Sequence, residues 1–183
     1  MKNIKKLGAL LCSACLVVSG TTIPTMADSM KVVTLGADLT DAQKNTMMKY
    51  FNVSSDQVQI LTITNQDERD HLSAYVPIEQ IGTRTVSCAY VKPTTSGGIK
   101  VRTANLNWVT CNMIATSLST SGVKNCEVVA ACPFEVSGTG ALTGIQMAYE
   151  TATGEQLDST KKELATEEMV VTGNLADEVG KND

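Results

Sequence analysis

The chain has 183 residues, of which 43% are hydrophobic, 19% charged and 4% aromatic, with a formal charge of −4. That length fits one domain, or one domain with a tail, and the composition excludes both a disordered and a fibrous protein. The acidic balance excludes a nucleic-acid partner held through a basic patch.

Lys2, Lys5 and Lys6 precede an apolar run from Leu7 to Val18, which Ser19, Gly20 and Pro24 then break. Thr25-Met26-Ala27 offers a small residue at −3 and Ala at −1. This order is that of a secretory signal peptide and predicts cleavage after Ala27. The run falls short of the roughly 20 apolar residues that span a bilayer. The expected organisation is a signal peptide over 1–27, an α/β domain over 28–154, and a helical C-terminal segment over 155–183 packed on the domain or extending from it. No later segment is expected to cross a membrane. The expected location is secreted, or on the extracellular face of the cell envelope.

Val32, Val33 and Leu35 suggest a short strand ending at Gly36. Thr40 and Gln43 form a capping box ahead of a helix whose candidate core residues are Ala42, Met47, Met48 and Phe51. Asn52, which tolerates the left-handed conformation, should stop it. Val58 to Thr64 carries apolar residues on both faces and reads as a strand buried on both sides. A polar link from Asn65 to Gln80 follows, with a helical turn around Asp67 to Leu72.

Thr85 to Lys92 and Ile99 to Ala104 read as two strands joined by a hairpin-type connection, Pro93 to Gly98. Thr110 starts a second helix that should end before Gly122, and Glu127 to Cys132 is a strand of small and apolar residues. Gly138 and Gly140 open a third helix with Leu142, Ile145, Ala148 and Tyr149 on one face. From Leu157 a stripe runs through Leu164, Met169, Leu175 and Val179, interrupted by Gly173, and predicts one long or two short amphipathic helices.

A weak repeat appears at an offset of seventy positions: Leu39-Thr40 matches Val109-Thr110, Met48 matches Leu118, Asn52-Val53 matches Gly122-Val123 and Val58 matches Val128. Each half reads strand, capped helix, left-handed stop, strand. A helix between two strands implies a right-handed parallel crossover.

Several strings carry a family resemblance. They are Asn107-Trp108-Val109-Thr110, Ser121-Gly122-Val123, Val136-Ser137-Gly138-Thr139, Ala141 to Ile145 and Ala148-Tyr149-Glu150. Asn65 to Arg69, Ile81 to Arg84 and Leu164 to Glu168 fit as well. With them the chain resembles the YpuA-like secreted proteins of Firmicutes, which carry a domain of unknown function. The resemblance implies export and an uncharacterised α/β domain. It supplies no activity, cofactor or catalytic residue. Members tend to lack cysteine at the positions of Cys111, Cys126 and Cys132, so any bridge here would be private to this chain.

Candidate chemistry is sparse. The single histidine, His71, is not accompanied by a nucleophile elbow, which argues against a Ser-His-Asp triad. Asp67, Asp70 and His71 share a helix face but lack the spacing of a metal motif. Trp108 stands just before a helix cap and is the aromatic expected to be half-exposed, with a lid over the helix start as the alternative. Ser137, Gly138, Thr139 and Gly140 take the chain from a strand end into a helix start, where free N–H groups can hold an anion. Thr110, at the neighbouring strand end, should lie close by. The alternative is a plain turn with Ser137 or Thr139 as the cap.

Export favours disulfides among Cys88, Cys111, Cys126 and Cys132. Cys126 and Cys132 stand on one strand, too far apart to bond. A parallel crossover brings Cys132 to the start of the Thr110 helix, which predicts Cys111–Cys132 and, second, Cys88–Cys126. Buried free thiols are the alternative.

The sequence therefore predicts a single α/β domain with a mixed sheet, built from two βαβ units plus an antiparallel hairpin, with helices mainly on one face. The expected role is a non-catalytic, envelope-associated binding or interaction module without metal or cofactor, its partner an envelope component or a protein. The alternatives are a cell-wall-directed hydrolase and a disulfide-stapled structural protein.

Overall fold

The computed structural model describes residues 30–179. The expected signal peptide over 1–27 lies outside them. Five strands form one mixed sheet: β1 (Val32–Gly36), β2 (Gln59–Ile63), β3 (Cys88–Pro93), β4 (Ile99–Leu106) and β5 (Cys126–Val136), in the order β2-β1-β3-β5-β4. Among the described residues six helices accompany it: α1 (Asp41–Tyr50), α2 (Asn65–Leu72), α3 (Ile78–Ile81), α4 (Cys111–Thr120), α5 (Thr139–Thr153) and α6 (Ser159–Val179). None is long and apolar enough to cross a membrane.

The helix boundaries follow from local chemistry. Thr40 N–H donates to Gln43 Oε1 at 2.9 Å and Gln43 N–H to Thr40 Oγ1 at 3.3 Å, the reciprocal pair that opens α1. Thr64 and Asp67 do the same for α2, so the expected single turn is a full two-turn helix. Thr110 Oγ1 accepts from Met113 N–H and opens α4.

Seventy positions apart, α1 and α4 also end alike. Val53 N–H reaches Met48 O at 3.2 Å and Val123 N–H reaches Leu118 O at 2.9 Å, while Asn52 and Gly122 stand at φ 54° and 97°. These are matching left-handed stops.

The two βαβ units are present: β1 pairs parallel with β2, and β4 with β5. Their helices lie on opposite sides of the sheet. Met47 of α1 and Phe51 at its C-terminal cap pack with Val33, Leu35, Cys88 and Ala131, whereas Met113, Ile114 and Leu118 of α4 pack with Val91, Val128 and Ala130. The other helices with buried side chains share the α4 side, so the expected one-faced bias holds with α1 as the exception. All four strands of the two units run the same way, and both connections step in the same direction along the sheet. Helices on opposite faces then give crossovers of opposite hand. This corrects the expectation that both are right-handed, and it shows that the repeat is local to the helix ends.

The expected hairpin is also corrected. β3 and β4 run antiparallel but do not pair, because β5 lies between them, antiparallel to β3 and parallel to β4. The residues explain the order. β5 presents Val128 and Ala130 to one core cluster and Val129 and Ala131 to the other, which suits a central strand. β4 exposes Lys100 and Arg102, which suit an edge.

β2 is likewise an edge strand rather than one buried on both faces, and its Ile60 is 40% exposed. Ala42 is exposed on α1. In α6, a single helix packed on α4, the buried positions are Ala165, Thr166 and Val170, while Leu164 is 48% exposed. The inward face of α6 is thus rotated from the expected stripe. The side chains of Met169, Leu175 and Val179 lie outside the described residues.

Candidate functional site

β5 ends at Val136, and Ser137-Gly138 turns the chain into α5. The cap is Gly138, which adopts φ 98°, in the left-handed region, and as a glycine offers no side chain to the helix start. The turn is pinned from two sides. Asn107 N–H and Val109 N–H each donate at 2.9 Å, to the carbonyls of Val136 and Ser137. Ser137 Oγ donates to the Gln80 carbonyl at 3.1 Å. Beside the turn opens a cleft of about 380 Å³. Ser137, Gly138, Thr139 and Gly140 form one wall, and α2, α3 and the segment leading into β3 form the others through Glu68, Glu79, Arg84 and Ser87.

Of the expected site residues, these four line the cleft. Thr110 and Trp108 do not. The Thr110 hydroxyl is turned into its own helix as the cap, although its neighbour Val109 reaches the turn through the backbone. Trp108 is 4% exposed and belongs to the main core, which corrects the expectation of a half-exposed ring.

The buried acid that lines the cleft was not among the expected residues. Glu68 of α2 is 1% exposed. Thr85 Oγ1 donates to its Oε1, and its Oε2 has no hydrogen-bond partner among the described residues. Burial raises its pKa above the ordinary 4.5, nearby Thr139 and Thr85 hydroxyls oppose the rise, and Asp38 adds to it while Arg69 subtracts.

Glycine at position 140 makes the arrangement fit. A Cβ there would lie 2.7 Å from Thr85 Cγ2 and 3.2 Å from Glu68 Oε1. Ser87 Oγ accepts from Ala141 N–H at 2.7 Å and so occupies one of the first donors of α5. The Glu68 carboxyl thus sits beside the start of α5, where the helix dipole favours its ionised form. Sequence does hold one signal for this. Glu68 precedes Leu72 by four positions, so the helix face that buries Leu72 carries Glu68 inward with it.

The other candidates are engaged locally. His71 Nδ1 lies 2.8 Å from the Asp67 carbonyl, Asp67 caps α2, and Asp70 accepts from Gln66 at 2.7 Å. Among the described residues no three His, Cys, Asp or Glu side chains gather as a metal site.

The four cysteines among the described residues are free, which corrects both expected bridges. Cys111 Sγ lies 3.4 Å from Thr103 Oγ1, on the α4 side of β4. Cys132 Sγ turns away from it to the Val86 carbonyl at 3.3 Å, while its own carbonyl is held by Asn105. Cys88 stands opposite Ala131 in the β3–β5 ladder and Cys126 opposite Pro93, so these two sit at opposite ends of the pairing.

Comparison with known proteins agrees with the motif strings. A family described as "protein of unknown function (DUF1002)" matches residues 35–183. "Uncharacterized protein YpuA" of Bacillus subtilis (strain 168) is 39% identical over 150 residues, covering 81% of this chain and 51% of that protein. The chain thus spans about half the length of this curated relative. No solved structure matches it significantly.

Proposed function

This chain belongs to the DUF1002 family, and we propose that it is an exported, non-catalytic binding module whose cleft at the start of α5 takes a small polar ligand. One observation carries the reading: the cleft is lined by a buried carboxyl with one oxygen unpartnered. An unpaired buried acceptor costs on the order of 1–3 kcal/mol, and a ligand that donates to it recovers that cost. The three-part order of residues 1–27 supports export and an envelope location.

Amide-resolved NMR of residues 28–183, titrated with small-molecule fractions of envelope extract, tests the cleft. Shifts centred on Glu68 and on Ser137 to Gly140 are expected, and shifts centred elsewhere overturn the reading. Sequencing the secreted protein tests export, with Asp28 expected as the first residue.

A hydrolase is the second reading, favoured by Glu68 and Glu79 sharing the cleft. A buried carboxyl with raised pKa suits a general acid, and an exposed one a base. Release of soluble fragments from cell-wall material by the parent, abolished in Glu68→Gln, would establish it in place of the binding module.

A further inference from the structure

Glu68 is a buried carboxyl that makes no ion pair among the described residues, although the Arg69 charge acts on it from nearby. Among the described residues the ion pairs are Lys92–Glu127 and Lys162–Glu150, neither of which involves it. The arginines of the neighbourhood are committed elsewhere. Arg69 donates to Asn65 Oδ1 at 2.8 Å and to the Gly82 carbonyl at 3.1 Å, and Arg84 donates to the Asp38 carbonyl at 3.1 Å. Buried charges are normally paired, because desolvation without a partner is costly. Within the fold Glu68 receives the Thr85 hydroxyl on Oε1 and the influence of the nearby Thr139 hydroxyl and the start of α5, while Oε2 has no hydrogen-bond partner among the described residues. The charged groups lining the cleft are Glu68, Glu79 and Arg84, an excess of negative charge.

We propose that the cleft binds a primary ammonium group, which docks on the Glu68 carboxyl. The assignment rests on the reading of the cleft as a ligand site. The alternatives fit less well. An anion would meet the carboxyl that already occupies the helix start. A hydroxyl or amide would fill the hydrogen bond and leave the charge uncompensated. An ammonium supplies both, as a compact group with three donors. Burial raises the pKa of this carboxyl, and a cation docked on it would lower it again. The shared chemistry has two common sources, the amino group of an amino acid or peptide and that of an amino sugar.

NMR titration of the parent with alanine amide and with glucosamine, each beside its N-acetylated counterpart, tests this and separates the sources. At least one free amine should bind on the order of tenfold to a hundredfold more tightly than its acetylated form, the span of a charged hydrogen bond. The shifts should centre on Glu68, Thr139 and Gly140, and Glu68→Gln should abolish the preference. The comparison within the parent needs no variant to fold. Equal binding of the acetylated forms, or a preference that survives Glu68→Gln, overturns the proposal. A cleft that answers to envelope extract and to neither amine overturns the ammonium assignment and leaves the binding module standing. Silence to all of them overturns both.

Discussion

Thr34 of β1 and Gly144 of α5 meet so closely that a Cβ on the glycine would lie 2.5 Å from the threonine Oγ1. The hydroxyl is fixed, because it accepts from Ala89 N–H at 3.0 Å and so ties β1 to β3. Gly144→Ala must displace either the helix or that hydrogen bond. Overpacking of this kind costs about 1–3 kcal/mol, partly offset by the better helix propensity of alanine. A lowered thermal midpoint is expected, with the Thr34→Ala, Gly144→Ala double variant recovering part of the loss. A midpoint equal to that of the parent would show that α5 rides higher on the sheet.

Glu68 sets a pH dependence. Its pKa is raised in the fold above the ordinary 4.5, so over that window the folded chain holds more protons than the unfolded one. The stability it contributes is complete below the unfolded pKa and is lost as pH rises through the folded value. Glutamine mimics the protonated acid and does not titrate. The midpoint of Glu68→Gln should therefore match the parent below the ordinary value of 4.5, exceed it as pH rises through the folded value, and hold a constant lead above that. Asp38, Arg69, Arg84 and Glu79, the charged groups around this carboxyl, are the same in both proteins and cancel in the difference. A difference that shrinks with rising pH would mean that the fold stabilises the carboxylate instead.

Local chemistry was readable from the residues, and long-range placement was not. Thr40, Thr110, Asn52 and Gly122 act where they were expected to, because caps and stops depend on neighbours a few positions away. The turn at Ser137 to Gly140 was legible for the same reason. Glu68 was missed because the run from Asn65 to Asp70 is wholly polar, and nothing within it marks which polar residue the fold will bury. The hairpin failed because strand order depends on β5, which lies beyond the two strands that a short turn invites to pair. Trp108 failed because its burial comes from the main core rather than from the cap it precedes.

The matched caps should be matched in energy. Thr40→Ala and Thr110→Ala each remove a side-chain acceptor from a first helical turn, at about 1 kcal/mol apiece. The helices pack on opposite faces of the sheet, so the two losses should add. Urea unfolding of the single and double variants measures this. A double variant much weaker than the sum would reveal coupling through the sheet.

Cys111 should be the reactive thiol of the four. It is partly exposed, whereas Cys88, Cys126 and Cys132 are buried. Burial pushes the Cys88 thiol up to about 12 and that of Cys126 to about 11, and it raises Cys132 as well. Brief alkylation of the folded protein near neutral pH, followed by peptide mapping, should mark Cys111 first and the others only after unfolding. Early labelling of Cys88 or Cys132 would show that the strand pair around them opens.

The position of β5 governs the order in which the sheet can assemble. A growing chain emerges from its N-terminus. β3 and β4 are both complete once residue 106 has appeared, while the strand that belongs between them is still unmade. Until then β2, β1 and β3 form one fragment, β4 stands apart, and each presents a bare edge. Any hairpin the two strands make in the interval has to open again. Folding of this chain therefore finishes at the middle of its sheet, and a fragment cut before Cys126 lacks the strand that joins the two halves.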